Sequence, residues 1–467
     1  MNWYAIIPAA QWFFLIYFIL VNAGYMLLNV IALASIYQYM QQEAIRGIEK
    51  PFSRMEPPVS IIVPAYNESA SIAASVRSLL QLNYPEFEII VVNDGSKDNT
   101  LEVLKKGFSL TPVPEAARRQ LPSQTVLGAY ISSAYPEIKV IDKENGGKAD
   151  ALNAGINASR YPLYCSVDAD SILQRDSLIK VVRPFLEDPH AIASGGSVRA
   201  VNGCTVSGGF LVKSDLPKSP LVLFQIVEYL RAYLIGRLGW SQINSLLIIS
   251  GAFGLFKKEA VIAAGGYNPA TVGEDMELIV RLHRLMRKEK RRYSITFIPD
   301  PICWTEVPED LKTLRNQRIR WQRGLAESLL LNLGLCFSRH GGAVGWFAFP
   351  FMIAFELLGA VLELAGYLFI FLGFYFGVIS AKAFLAFMFV AVGLGVLLSV
   401  NSLLMEEMSF KIYKKPYNIV LLFLFSFAEN VGYRQLNAWW RVVGFWQFLT
   451  GVRGGWGEMK RKAQTEE

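Results

Sequence analysis

Apolar and polar positions divide the chain into three stretches. From Trp12 to about Tyr37 the run is apolar and carries no charge. About 20 such residues cross a bilayer, so residues 1–40 are predicted to hold an N-terminal transmembrane helix. The run is too long for a signal peptide and lacks the basic residues that open one. From about 55 to 340 polar positions return, and short β-branched runs alternate with helical spacing. Strands are predicted at Val59–Val63, Phe87–Val92, Ile138–Ile141 and Tyr164–Val167. Helices are predicted near Ser69–Gln81, Asn99–Lys106 and Lys148–Ala158. This alternation implies parallel βαβ units and an α/β fold class. The Pro-, Ser- and Arg-containing stretch Gly107–Pro136 breaks the rhythm and reads as an insertion or loop. Apolar runs return at Trp346–Ile379, Ala383–Met405 and Asn418–Val431, which predicts transmembrane helices within 345–435. Residues 436–467 mix Trp, Phe and Arg and end on Lys460, Arg461 and Lys462, as an amphipathic basic tail does.

Composition agrees with a chain partly in lipid. It is 52% hydrophobic with a mean hydropathy of +0.30, and only 18% is charged, against about 25% in soluble domains. The net charge of +7 has no basic stripe with interleaved aromatics behind it, so nucleic acid is not expected as a partner. Anionic headgroups fit the excess better, and membrane lipids are the expected partner. No Lys or Arg precedes the first apolar run, whereas Arg46, Lys50 and Arg54 follow it. The positive-inside rule then puts the polar middle in the cytoplasm. Four cysteines and three histidines are scattered, with neither zinc nor disulfide spacing.

Candidate chemistry lies at predicted strand ends and helix starts. Asp94 opens Asn93-Asp94-Gly95-Ser96 after a strand, where ligands of parallel sheets bind; its carboxylate could hold a nucleobase or ribose, or mark a plain turn. Asp168 and Asp170 follow another strand. Their mutual repulsion needs a cation, and Mg²⁺ or Mn²⁺ bridging a diphosphate would supply it; a solvated acidic loop is the alternative. Lys148 and Asp150 follow Gly146-Gly147 at a helix start, suited to phosphate or simply a glycine turn. Gly273-Glu274-Asp275 opens a helix with apolar Leu278, Ile279, Leu282 and Leu285. Asp275 there is either a general base or an acid complementing the helix dipole. Gln317, Arg318, Arg320 and Trp321 sit on a helix beginning near Glu309. Arg320 can grip diphosphate and Trp321 can stack on a sugar or base; the same helix could equally lie on the membrane. Glu356 and Glu363 stand in an apolar run, facing a cavity or paired with a neighbour.

In this order the residues resemble the family-two glycosyltransferases of GT-A fold, most of all the membrane-integrated branch with the cellulose, hyaluronan, chitin and poly-N-acetylglucosamine synthases. The resemblance spans Val59 to about Gly324. It implies a GT-A (Rossmann-like) cytoplasmic domain over 55–340 in a multi-pass protein of the inner (cell) membrane. It further implies inverting transfer from a nucleotide-sugar, a UDP-sugar by expectation, to a growing glycan. Glu68, Asp94, Lys148 and Asp150 would line the nucleotide pocket, and Asp168 and Asp170 would bind Mg²⁺ or Mn²⁺. Asp275 would be the base beside Glu274, and Gln317, Arg318, Arg320 and Trp321 match the Q-x-x-R-W signature of processive synthases. Accessory export proteins are partners that the resemblance implies. Two alternatives stay open: transfer of one sugar to a lipid-linked acceptor, and non-catalytic binding of nucleotide-sugars. Gly273 stands where the family usually has Thr.

Overall fold

The computed structural model describes residues 3–46, 56–114 and 119–452. The basic residues Lys50, Arg54 and Lys460 to Lys462 lie outside the described residues. Twelve strands follow one another along the chain: β1 Val59–Ala65, β2 Phe87–Asp94, β3 Leu110–Val113, β4 Val126–Ser132, β5 Ile138–Lys143, β6 Leu163–Val167, β7 Ile172–Leu173, β8 Ala191–Ala200, β9 Thr205–Ser207, β10 Phe210–Lys213, β11 Phe253–Lys257 and β12 Ser294–Thr305. Ten of them form one mixed sheet in the order β3-β4-β5-β2-β1-β6-β11-β8-β12-β7. The strands β1, β2, β5 and β6 run parallel, as the βαβ pattern predicts. Their apolar residues are buried on both faces, for example Ile61, Ile62 and Val63 on β1 and Ile89 to Val92 on β2. Helices must cover both faces of such a sheet. The helix Lys148–Ala158 lies close on β1 and β2 because much of it is Ala and Gly.

The stretch 107–136 departs from the expected loop. It contains β3 and β4, paired antiparallel, with β4 also antiparallel to β5. Pro112 sits in β3, the outermost strand, where a missing donor is tolerated. The insertion therefore extends the sheet edge.

The N-terminal helix Trp3–Arg46 has 44 residues and is about 66 Å long, twice a hydrocarbon core. Its first half packs with the apolar helices: Phe18 meets Phe387 and Tyr367 at ring distances of 4.9 and 5.8 Å. Its second half descends along the sheet domain, where Tyr39 donates to Asp300 on β12. Among the described residues two helical stretches, Ile7–Glu43 and Ala381–Ser409, are long and apolar enough to cross a membrane. Val344–Leu357 and Gly359–Tyr375 would make a third span if the pair, bent by 47°, is one. Both acids in that pair have basic partners: Glu363 binds Arg434 at 3.1 Å and Glu356 binds Arg441 at 3.0 Å. Those arginines belong to the helix Arg434–Thr450, which packs against Leu311–Leu331 and buries Ala438, Trp440 and Gly444. The described part of 436–467 is thus a docked helix, and the boundary at 435 falls inside it.

Candidate active site

A two-residue turn, Gly251-Ala252, joins the candidate acids. It precedes β11, antiparallel to β6, so it faces the carboxyl end of β6. The Gly251 amide donates to Asp275 Oδ2 at 3.0 Å, and the Gly251 carbonyl accepts from Lys148 Nζ at 3.2 Å. The next carbonyl, of Ala252, accepts from the Asp168 amide at 3.3 Å. A Cβ on Gly251 would lie 3.0 Å from Lys148 Nζ and 3.4 Å from Asp275 Oδ2, so glycine suits this crossing.

Around that turn four predicted residues meet. Lys148 Nζ lies 2.5 Å from Asp168 Oδ1 and 3.7 Å from Glu274 Oε1. Burial alone would lower the Lys148 pKa, but Asp168 and then Glu274 outweigh it and raise it above the usual lysine range. Burial pushes the Glu274 carboxyl up; Lys148 opposes the rise and Asp275 adds to it. Glu274 and Asp275 open the helix Glu274–Lys288, whose first turn is acidic and whose last turn carries Arg287 and Lys288. That distribution complements the helix dipole. Asp275 also takes the Met276 amide at 2.8 Å.

The helix start is braced from behind. A Cβ on Gly273 would stand 2.8 Å from the Gly324 Cα, so two backbones touch there. Glu327, on the same helix as Gly324, accepts from the Val272 amide at 2.8 Å. The helix Leu311–Leu331 thus fixes where Asp275 points.

A second cluster lies directly behind the first. Lys143, fully buried at the end of β5, has its Nζ 2.5 Å from Asp94 Oδ1 and 2.6 Å from Asp150 Oδ1. Asp94 also accepts the amides of Gly146 at 3.0 Å and Gly147 at 2.8 Å. Asp150 accepts the Gln124 amide at 3.1 Å. Asp94 and Asp150, two of the three acids expected to line the nucleotide pocket, are therefore turned inward, onto the loop that delivers Lys148. Glu68 accepts from the Ser71 hydroxyl at 2.9 Å, one turn before the helix Ile72–Leu79.

The signature helix points two ways. Arg318 is buried, binds Glu228 at 2.7 Å and sits 4.3 Å over the Trp321 ring; Tyr433 donates to the same Glu228 at 2.9 Å. Arg318 thus pins Leu311–Leu331 to two neighbouring helices. Trp321 is exposed and Arg320 half-buried. Gln317 Oε1 is buried without a hydrogen-bond partner among the described residues.

Asp168 begins a tight turn that returns a hydrogen bond from the Ser171 amide at 3.0 Å, which brings Asp170 out on the same turn. Among the described residues no group of three His, Cys, Asp or Glu side chains forms a metal cage. Two carboxylates suit an ion whose shell substrate phosphates complete, as Mg²⁺ sites commonly are. The ammonium held on Asp168 marks that carboxylate as a cation site. Sequence reasoning overlooked Lys143, Gly251 and Glu327. Lys143 left a signal, a lysine closing an apolar strand; Gly251 is one glycine among 37, and Glu327 is one of many helix acids.

The fold agrees with comparisons to known proteins. Models described as "Glycosyl transferase family 2" and "Glycosyltransferase like family 2" match residues 60–118 and 129–324, and one described as "Chitin synthase" matches 263–467. Poly-beta-1,6-N-acetyl-D-glucosamine synthase of Staphylococcus epidermidis is 31% identical over 294 residues, covering 60% of this chain and 60% of the relative. The protein of that name from Staphylococcus aureus is 32% identical over 301 residues, covering 63% and 62%. The chain thus spans about 60% of the length of these curated relatives. A mannosyltransferase from Pyrobaculum calidifontis, solved with GDP-Man and Mn²⁺, shares the fold: TM-score 0.50, 18% identity, 93% of this chain and 100% of that one.

Proposed function

We propose that this chain, matched over residues 60–118 and 129–324 by models of glycosyltransferase family 2, is a membrane-bound, inverting polysaccharide synthase of that family. Its donor is a UDP-sugar, and the names of its relatives make UDP-N-acetylglucosamine the first to test. The observation that carries this reading is the meeting of Lys148, Asp168, Glu274 and Asp275 around Gly251. A binding module needs a cationic grip on diphosphate but has no use for a braced carboxylate beside it.

In the proposed reaction, Asp275 accepts the proton of an acceptor hydroxyl. That oxygen bonds to the anomeric carbon as the bond to the diphosphate breaks on the opposite face, and the nucleoside diphosphate leaves with the electron pair. Lys148 moves its ammonium from Asp168 towards the diphosphate. Asp168 and Asp170 would hold Mg²⁺ or Mn²⁺, which neutralises charge on the leaving group. Asp94 and Asp150 act at one remove, by shaping the Gly146-Gly147 loop. Arg320 and Trp321 lie on the helix that braces the base, where a growing chain would pass. The charge asymmetry about the first apolar helix supports a cytoplasmic site in a multi-pass inner-membrane protein.

The test is a panel of radiolabelled UDP-sugars with the full chain purified in detergent, with Mg²⁺ or Mn²⁺ and with sizing of the product. Long products from UDP-N-acetylglucosamine are expected; single-sugar products would instead mark a monosaccharide transferase. Asp275→Asn should lower turnover by about 10²–10⁴ while donor binding persists. Full activity in EDTA would remove the metal role of Asp168 and Asp170.

A further inference from the structure

The far end of the base-carrying helix also ends at an unusual surface. Glu274–Lys288 has 15 residues and is about 22 Å long, with Asp275 at one end and Arg284, Arg287 and Lys288 at the other. Arg284 Nη1 donates to the Leu331 carbonyl and the Asn332 side chain, both at 3.2 Å. Arg287 lies against Gly342. The helix end is thereby fastened to the corner 332–346, the last turn before the apolar helices begin at Val344.

That corner displays what soluble surfaces hide. Phe337 and Trp346 meet edge to face at 5.5 Å, yet are 58% and 50% exposed, and neighbouring Phe347 is 66% exposed. Phe337 holds a φ of +53°, an unfavourable conformation for a bulky residue, and the corner maintains it through the Phe337 amide on the Gly345 carbonyl at 2.9 Å. Arg339 and His340 follow Phe337 on the corner, and Lys288 ends the helix fastened to it; all three are exposed and none has an ion pair among the described residues. Exposed aromatics on a corner that also carries cations, continuous with a membrane helix, match the boundary between headgroups and acyl chains.

We propose that this corner and the basic end of Glu274–Lys288 form a binding surface for anionic phospholipid headgroups, and that lipid charge there steadies the helix carrying Asp275. The proposal rests on the membrane reading above and adds to it a located, charge-selective contact. Electrostatic attraction favours the anionic lipid by about fivefold for each basic side chain at such a surface.

The test uses the full chain in nanodiscs containing either brominated phosphatidylglycerol or brominated phosphatidylcholine at equal mole fraction. Brominated chains quench tryptophan on contact, and the difference between the wild type and Trp346→Phe isolates Trp346. Quenching of Trp346 should be at least about twofold stronger with the anionic lipid. Lys288→Gln with Arg339→Gln should remove that preference, and Lys288→Arg with Arg339→Lys should keep it. Donor binding by each variant confirms that the sheet domain is folded. Equal quenching by both lipids in the wild type, or an undiminished preference in the Gln variant, overturns the proposal. If Trp346 stays unquenched while the other tryptophans respond, the surface is wrong and the membrane reading survives. If no tryptophan responds, both fall.

Discussion

Lys143 and Lys148 each sit between two carboxylates, and their surroundings are opposite. Lys143 is fully buried between Asp94 and Asp150, and both acids also accept backbone amides. Lys148, five residues on, bridges Asp168 and Glu274 with its side chain one-fifth exposed and Asp168 almost a third exposed. A buried pair held by further hydrogen bonds is a rigid frame. A pair that water can reach, with oxygens to spare, can exchange partners when a diphosphate arrives. Under the proposed function the same chemical unit is scaffold in one place and working surface in the other, and burial separates them.

Substituting each lysine breaks the comparison most directly. Lys143→Met strands two buried carboxylates, so it should cost about 3–5 kcal/mol of stability, read as a large fall in melting temperature. Lys148→Met should leave melting within a few degrees yet reduce sugar transfer by about 10². Equal effects of the two on stability would erase the distinction between frame and site.

The frame extends along the helix Glu274–Lys288 to His283, whose imidazole touches the Tyr293 hydroxyl at 2.7 Å and the Leu246 carbonyl at 2.8 Å. Burial lowers its pKa from 6.5 to about 4. The unfolded chain therefore binds a proton between those values that the native state refuses, and stability rises with pH across that window. About 3 kcal/mol should be present above pH 6.5 and lost towards pH 4. Thermal melts across that range, with His283→Gln flattening the slope, check it. The smallest effect is expected at the junction of frame and site. Gly251→Ala, with its Cβ 3.0 Å from Lys148 Nζ, should lower transfer by about tenfold through displacement of the ammonium, with melting nearly unchanged.

Much of the sheet was legible because strands and helices leave different periods in the chain. The predicted helix Lys148–Ala158 matches the observed one end to end, and each predicted parallel strand lies within the observed one. The hairpin β3–β4 was missed although Val126–Ser132 has strand composition, because the prolines and serines around it read as loop. Of the site, Asp168 and Asp275 were visible as acids at element ends. That Asp94 turns inward was not visible, since Asn-Asp-Gly at a strand end reads alike whether its partner is a ligand or a buried lysine. The arginines expected on the membrane or the substrate divide for the same reason: Arg318 finds Glu228, while Arg434 and Arg441 find Glu363 and Glu356.

Local pattern alone determined that this chain alternates strands with helices, that its two ends are lipophilic, and that acids stand where strands finish. Those properties depend on neighbours a few positions apart, which any stretch of sequence displays. Which acids meet around Gly251, which lysine is fully buried and which is partly exposed, and where the basic helix end lies were decided only by packing. Contacts between residues a hundred positions apart, such as Lys148 with Gly251, depend on how the sheet is ordered, and no local period encodes that order.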